Sequence, residues 1–223
     1  MNPRLFRRTG RSRRAFTLLE TMMALVIIGV GVLAFVDAQT SFSRTNAWSS
    51  QAATGMLLGN EIRELSRRFA RHDPVTGLSL VGTGPSAVVV GWGRETGEVT
   101  VDDLDDLDDL DGVTFGLGGT FNGPIDGFGN LVPEISPDGD VMLDTEGNLR
   151  PLPGWSQRIS VEKVDPYNFT TVRAPAYEQE ATTGLPRIAA DKFPVRVTVS
   201  VFYQDPNQTQ ATEVTKLTWI VAP

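Results

Sequence analysis

The stretch GRSRRAFTLLETMMALVIIGVGVLAFVDAQ, Gly10 to Gln39, decides the fold. It opens on arginines, carries one carboxylate at Glu20, and then holds no charge from Thr21 to Val36. With Phe16 to Leu19 included, the apolar run reaches the ~20 residues that a helix needs to span hydrocarbon. A carboxylate at such depth costs at least about 2 to 3 kcal/mol and calls for a reason.

Outward from this stretch, charge is divided unequally. The chain has 223 residues and a formal net charge of −7. Arg4, Arg7, Arg8, Arg11, Arg13 and Arg14 precede Phe16 with no acid among them, so without those six positive charges the remainder stands at −13. A basic head before an apolar segment and an acidic body after it predicts a single-pass membrane protein, head in the cytoplasm and body outside. An acidic body also has no general attraction for nucleic acid. Cysteine is absent and His72 is the only histidine, which excludes thiol chemistry, Cys-based metal sites, a multi-His zinc site and most Ser-His catalysis. The sequence nearest to a nucleophile elbow, GLSLV at Gly77 to Val81, lacks the closing glycine. No residue is assigned to catalysis.

Three readings fit the N-terminal segment. A plain signal anchor would tether the body, and Val36-Asp37-Ala38 is a poor cleavage site for an ordinary secretory signal. SRRAF at Ser12 to Phe16 matches the start of a twin-arginine export signal, although MMALVIIGVGVLAFV is strongly apolar for one and nothing in such a signal needs Glu20. The third reading accounts for Glu20. AFTLLE, Ala15 to Glu20, resembles the cleavage motif of type IV prepilins and type II secretion pseudopilins, departing from it in having Ala15 where glycine is usual. The resemblance implies a cut between Ala15 and Phe16 by a prepilin peptidase and N-methylation of Phe16. It also implies a role for Glu20 in assembly with other pilin subunits at an inner-membrane assembly platform. Physically, a new ammonium on Phe16 and an ionised Glu20 are each costly in lipid, and stacking subunits so that one neutralises the other would set axial register.

Beyond Val36 no proline interrupts the chain until Pro74. Ala52, Gly55, Leu58, Ile62, Leu65 and Phe69 recur at steps of three and four, the stripe of an amphipathic helix. Phe16 to about His72 is therefore expected to form one helix of ~85 Å at 1.5 Å per residue. Gly29 and Gly31 stand in its apolar half, where each costs roughly 1 kcal/mol. They are read either as points of close helix packing or as a weak point that can unwind. The absence of a nearby proline makes the chain more similar to minor pilins of the PilV type and to minor pseudopilins than to a major subunit. The expected organisation is a cleaved cytoplasmic leader (1–15), a transmembrane and assembly helix (16–37), its amphipathic continuation (38–73) and a soluble β-rich domain (74–223). The destination is the inner membrane and then a pilus or, alternatively, a secretion pseudopilus. An adhesion or binding module on a pilin anchor is a further alternative.

In the domain the period changes to that of strands. Ser86–Trp92 and Glu98–Val101 read as a hairpin, and Trp155–Val164, Val195–Gln204 and Glu213–Ala222 alternate. Val195, Val197, Val199, Val201 and Tyr203 share one face, as do Leu217, Trp219 and Val221. The fold class is thus α+β, pilin-like, with an antiparallel sheet packed on the amphipathic half of the long helix. One segment stands apart, VDDLDDLDDLDG at Val101 to Gly112. It reads as a solvated acidic loop or as a calcium site built from Asp102, Asp103, Asp105, Asp106, Asp108, Asp109 and Asp111. An EF-hand is rejected, because placing Gly112 as its glycine puts Leu107 where the first aspartate belongs and Gly118 where the glutamate belongs. Asp126, Asp138, Asp140 and Asp144, in two Gly-rich loops, are further candidate ligands.

Overall fold

A computed structural model describes residues 17–82 and 87–223. The chain divides into two compact units at Ser49/Ser50, and one helix, α1 (Leu18–Ser66), contributes to both.

Within the first unit every described residue is exposed, Leu18, Ile27 and Leu33 at 78%, 68% and 72%. The segment is long and apolar enough to cross a membrane by length and composition. Two of its hydroxyls are satisfied by the helix: Thr21 donates to the Leu18 carbonyl at 2.9 Å and Thr40 to that of Val36 at 2.9 Å. Neither would carry an unmet donor into lipid. The exposure continues through Phe42 and Trp48.

The second unit begins where the amphipathic stripe does. Leu58, Ile62 and Leu65 are all but fully buried, and Gly55 and Gly59 lie against strand β7 (Thr212–Val221). A Cβ added at Gly55 would stand 2.9 Å from Val214 Cγ1, and one at Gly59 2.7 Å from Leu217 Cδ1. Glycine is what allows helix and strand to approach this closely.

The main sheet contains β3 (Thr114–Gly116), β4 (Trp155–Asp165), β6 (Val195–Tyr203) and β7 in that order, with β5 (Asn168–Val172) paired to the far end of β4. Every pairing is antiparallel, and Val197 lies opposite both Val161 and Trp219. The inward face of β6 is Val195, Val197, Val199 and Val201, all buried, as alternation predicts. β4 turns Trp155, Gln157, Ile159, Val161 and Lys163 inward. Two of these are polar, and both are satisfied. Gln157 donates to the carbonyls of Leu58 at 2.9 Å and Ile125 at 3.0 Å and accepts from the Ile125 amide at 2.8 Å. Lys163 donates to the carbonyls of Pro175 and Tyr177 at 2.7 and 2.8 Å and lies 4.8 Å from the centre of the Phe193 ring. Burial lowers its pKa to about 8.

Two expectations are corrected. α1 ends at Ser66, not near His72. The amides of Arg67 and Arg68 bond carbonyls three residues back, tightening the last turn. Ala70 then leaves the helix to bridge Asp106, its carbonyl accepting from the Leu107 amide at 2.9 Å. Nor does Glu98–Val101 form a strand; β2 (Val88–Val90) pairs instead with β1 (Ser79–Val81), and Ser86 lies outside the described residues. The amides a ladder would need at Val99 and Thr100 are taken by Asp103 Oδ2, at 3.0 and 2.7 Å.

Candidate functional site

The DDL repeat is not a solvated loop. Leu104, Leu107 and Leu110 enter the same core as Leu58, Ile62 and Leu65: Leu104 follows one short 3-10 turn, Val101–Asp103, Leu107 precedes a second, Asp108–Leu110, and Leu110 ends it. Anchoring them draws part of the intervening acid inside: Asp106, Asp108 and Asp109 are exposed by only 1%, 0% and 0%.

Each buried carboxylate has a definite use. Asp106 Oδ1 accepts from the amides of Asp108 and Asp109 at 2.8 and 3.1 Å. Asp109 Oδ2 accepts from those of Asp105 and Asp106 at 3.0 and 3.1 Å. The two side chains thus tie each other's backbone, leaving Asp106 Oδ2 and Asp109 Oδ1 buried without a hydrogen-bond partner. Glu95 Oε2 is in the same position, and carboxylate oxygens of Glu95, Asp106 and Asp109 lie within 4.8 Å of one another. A second trio, Glu98, Asp105 and Asp109, meets the same limit and shares Asp109. The Glu95–Glu98 turn is held by the Glu95 amide donating to Glu98 Oε2 at 2.7 Å.

Electrostatics matches the crowding. Burial first, then Asp108 and Asp109, raises the Asp106 pKa to about 9. Burial with Asp109 and Glu98 raises that of Glu95 to about 7, and those of Glu98 and Asp105 are raised mainly by burial.

The remaining aspartates of the run are placed elsewhere. Asp108 is a brace: Oδ1 lies 2.8 Å from His72 Nδ1, and Oδ2 accepts from the Gly93 amide at 3.1 Å. Asp111 Oδ1 accepts from the Val161 amide at 2.9 Å, fastening the run to β4. Asp103 caps the first 3-10 turn, and Asp102 is exposed. Asp126 and Asp144 each bond amides of their own turns, and Asp138 and Asp140 lie in a third, exposed turn. Sequence reading thus found three of the five converging carboxylates. Glu95 and Glu98 were missed because ETGE looks like an ordinary turn, although two acids three residues apart across Gly97 were a visible sign.

At the other end of the chain, Glu20 has a local role. The Thr17 amide donates to Glu20 Oε2 at 3.4 Å and the Glu20 amide to Thr17 Oγ1 at 3.3 Å. This is a reciprocal cap at the start of α1, readable in TLLE but not read there. It also places a negative charge at the positive end of the helix dipole. Ala15 and Phe16 lie outside the described residues. Gly29 and Gly31 sit within an unbroken helix, and an added Cβ at either would meet no atom within 4 Å.

Residues 10–36 match the family model of the prokaryotic N-terminal methylation motif. No curated protein and no solved structure matches the chain. The matched residues take in Arg11, Arg13, Arg14, Glu20 and most of the apolar run, and stop before the second unit begins. Motif and apolar helix together support a pilin-like or pseudopilin subunit anchored in the inner membrane, with other pilins and a prepilin peptidase as its general partners.

Proposed function

We propose that the chain is a minor pilin-like structural subunit of a type IV pilus, most similar to the PilV type, and that its work is assembly rather than catalysis. The observation that carries this is the methylation motif at residues 10–36 running into a helix whose described residues up to Ser49 are all exposed. Such a helix needs lipid before assembly and neighbouring helices after it. In this reading the leader is cut between Ala15 and Phe16, Phe16 is N-methylated, and the domain faces away from the cytoplasm. Glu20 then meets the Phe16 ammonium of a neighbouring subunit at the inner-membrane assembly platform. A type II secretion pseudopilus would use the same parts.

Two measurements test it. The intact mass of the mature protein is expected to correspond to a chain starting at Phe16 with one added methyl; a Met1 terminus would establish a plain anchor, and a Gln39 terminus a twin-arginine substrate. Glu20→Gln keeps an acceptor for the Thr17 amide but removes the charge, whereas Glu20→Ala removes both. Both variants should insert in the membrane, and both should be lost from filaments. Normal incorporation of Glu20→Gln would reduce Glu20 to a helix cap.

A further inference from the structure

We propose that Glu95, Glu98, Asp105, Asp106 and Asp109 form a calcium site that pins the 95–98 turn to the 105–109 segment beside the end of α1. Acidic residues crowd many protein surfaces without binding anything. What separates this group is that Asp106 and Asp109 are fully buried and that each keeps one oxygen without a hydrogen-bond partner. A buried acceptor without a partner costs about 1 to 3 kcal/mol, more when charged. Here three occur on residues whose carboxylates each bring an oxygen within 4.8 Å of the others'. One cation between them would satisfy all three.

The donor set selects the ion. All five candidates are carboxylates, and the nearby imidazole is already engaged, His72 Nδ1 standing 2.8 Å from Asp108. A site of oxygens alone suits a hard cation rather than zinc or copper. Calcium accepts six to eight oxygens, some bidentate, in irregular geometry, and so can draw on both trios through the shared Asp109. Magnesium demands a near-regular octahedron, keeps several waters and uses one or two carboxylates, so it fits five crowded ones poorly.

The location gives the ion a structural task. Asp106 bridges Ala70 just past the end of α1, and its neighbour Asp108 is braced on His72 and Gly93. The segment carrying three core leucines therefore abuts the acidic cluster directly. Neutralising the cluster removes the repulsion that opposes seating those leucines. A cation that binds the folded form alone raises stability by mass action. This inference is independent of whether the subunit enters a pilus.

The test uses the full chain in detergent, stripped with EDTA and titrated with calcium chloride or magnesium chloride at constant ionic strength. Binding is followed by calorimetry and unfolding by thermal melt. Calcium is expected to bind saturably and raise the melting temperature, and magnesium to do less. Glu95→Gln should weaken calcium by about tenfold or more. Asp109→Asn, which removes the ligand common to both trios, should abolish binding. It should also melt above the unaltered protein in EDTA, since an amide can keep the two backbone bonds while its NH2 relieves the crowding. Asp103→Asn, on the exposed cap, should bind calcium unchanged. Equal melting shifts from calcium, magnesium and matched sodium chloride would overturn the site. So would wild-type calcium affinity in Glu95→Gln, a variant at the partly exposed edge of the cluster that does not depend on Asp109→Asn folding.

Discussion

Two pairs of glycines on one helix have opposite surroundings. Gly55 and Gly59 are pressed against β7, and a methyl group on either would collide with Val214 or Leu217. A methyl group on Gly29 or Gly31 would meet nothing within 4 Å beyond the helix backbone and adjacent residues. The same backbone, in the same α1, is completed by the chain in one unit and left for something else to complete in the other. Close packing inside the second unit therefore explains Gly55 and Gly59. For Gly29 and Gly31 the candidates are lipid, a neighbouring subunit, and the flexibility of the helix.

The strongest attack on this contrast is large-to-small substitution on each side. Ile62→Ala should cost about 2 to 5 kcal/mol in denaturant unfolding, because the side chain is fully buried beneath the sheet. Ile27→Ala, 68% exposed in the chain itself, should leave the midpoint of domain unfolding where it is. If both shifted it equally, the contrast between the two stretches of α1 would be lost. Small-to-large substitution should have a lesser effect. Gly59→Leu is expected to destabilise the domain by about 1 to 3 kcal/mol, and Gly31→Leu to change its melting not at all. Subtler still is Gly29→Ala combined with Gly31→Ala, worth ~1 kcal/mol per site to the helix. It should slow hydrogen exchange of the amides around residues 25–35 in detergent, and unchanged exchange would remove the idea of a built-in weak point.

The sequence was legible where one period governs a long run. The stripe Leu58, Ile62, Leu65 and the alternation of β4, β6 and β7 each repeat often enough for neighbours to be inferred without coordinates. It was less legible where short-range chemistry competes with the pattern. The strand expected at Glu98–Val101 gives way because Asp103 captures the amides of Val99 and Thr100. The helix stops at Ser66 because a segment some forty residues later provides a bridge for Ala70. The acidic run deceived in a different way. Aspartates read as solvent-facing, and only the placement of Leu104, Leu107 and Leu110 in the core shows that three of them go inside.

The approach of Gly55 and Gly59 to β7 bears on the order of folding. The helix stripe is made early in synthesis, but Val214 and Leu217, against which it packs, belong to the last strand of the chain. Gln157, which satisfies the Leu58 carbonyl, is itself 99 residues away. Such long separations delay the contacts that reward loop closure. Until β7 has been delivered, Leu58, Ile62 and Leu65 have no permanent cover. A truncation that removes only the C-terminal strand would therefore undo the beginning of the domain as thoroughly as its end.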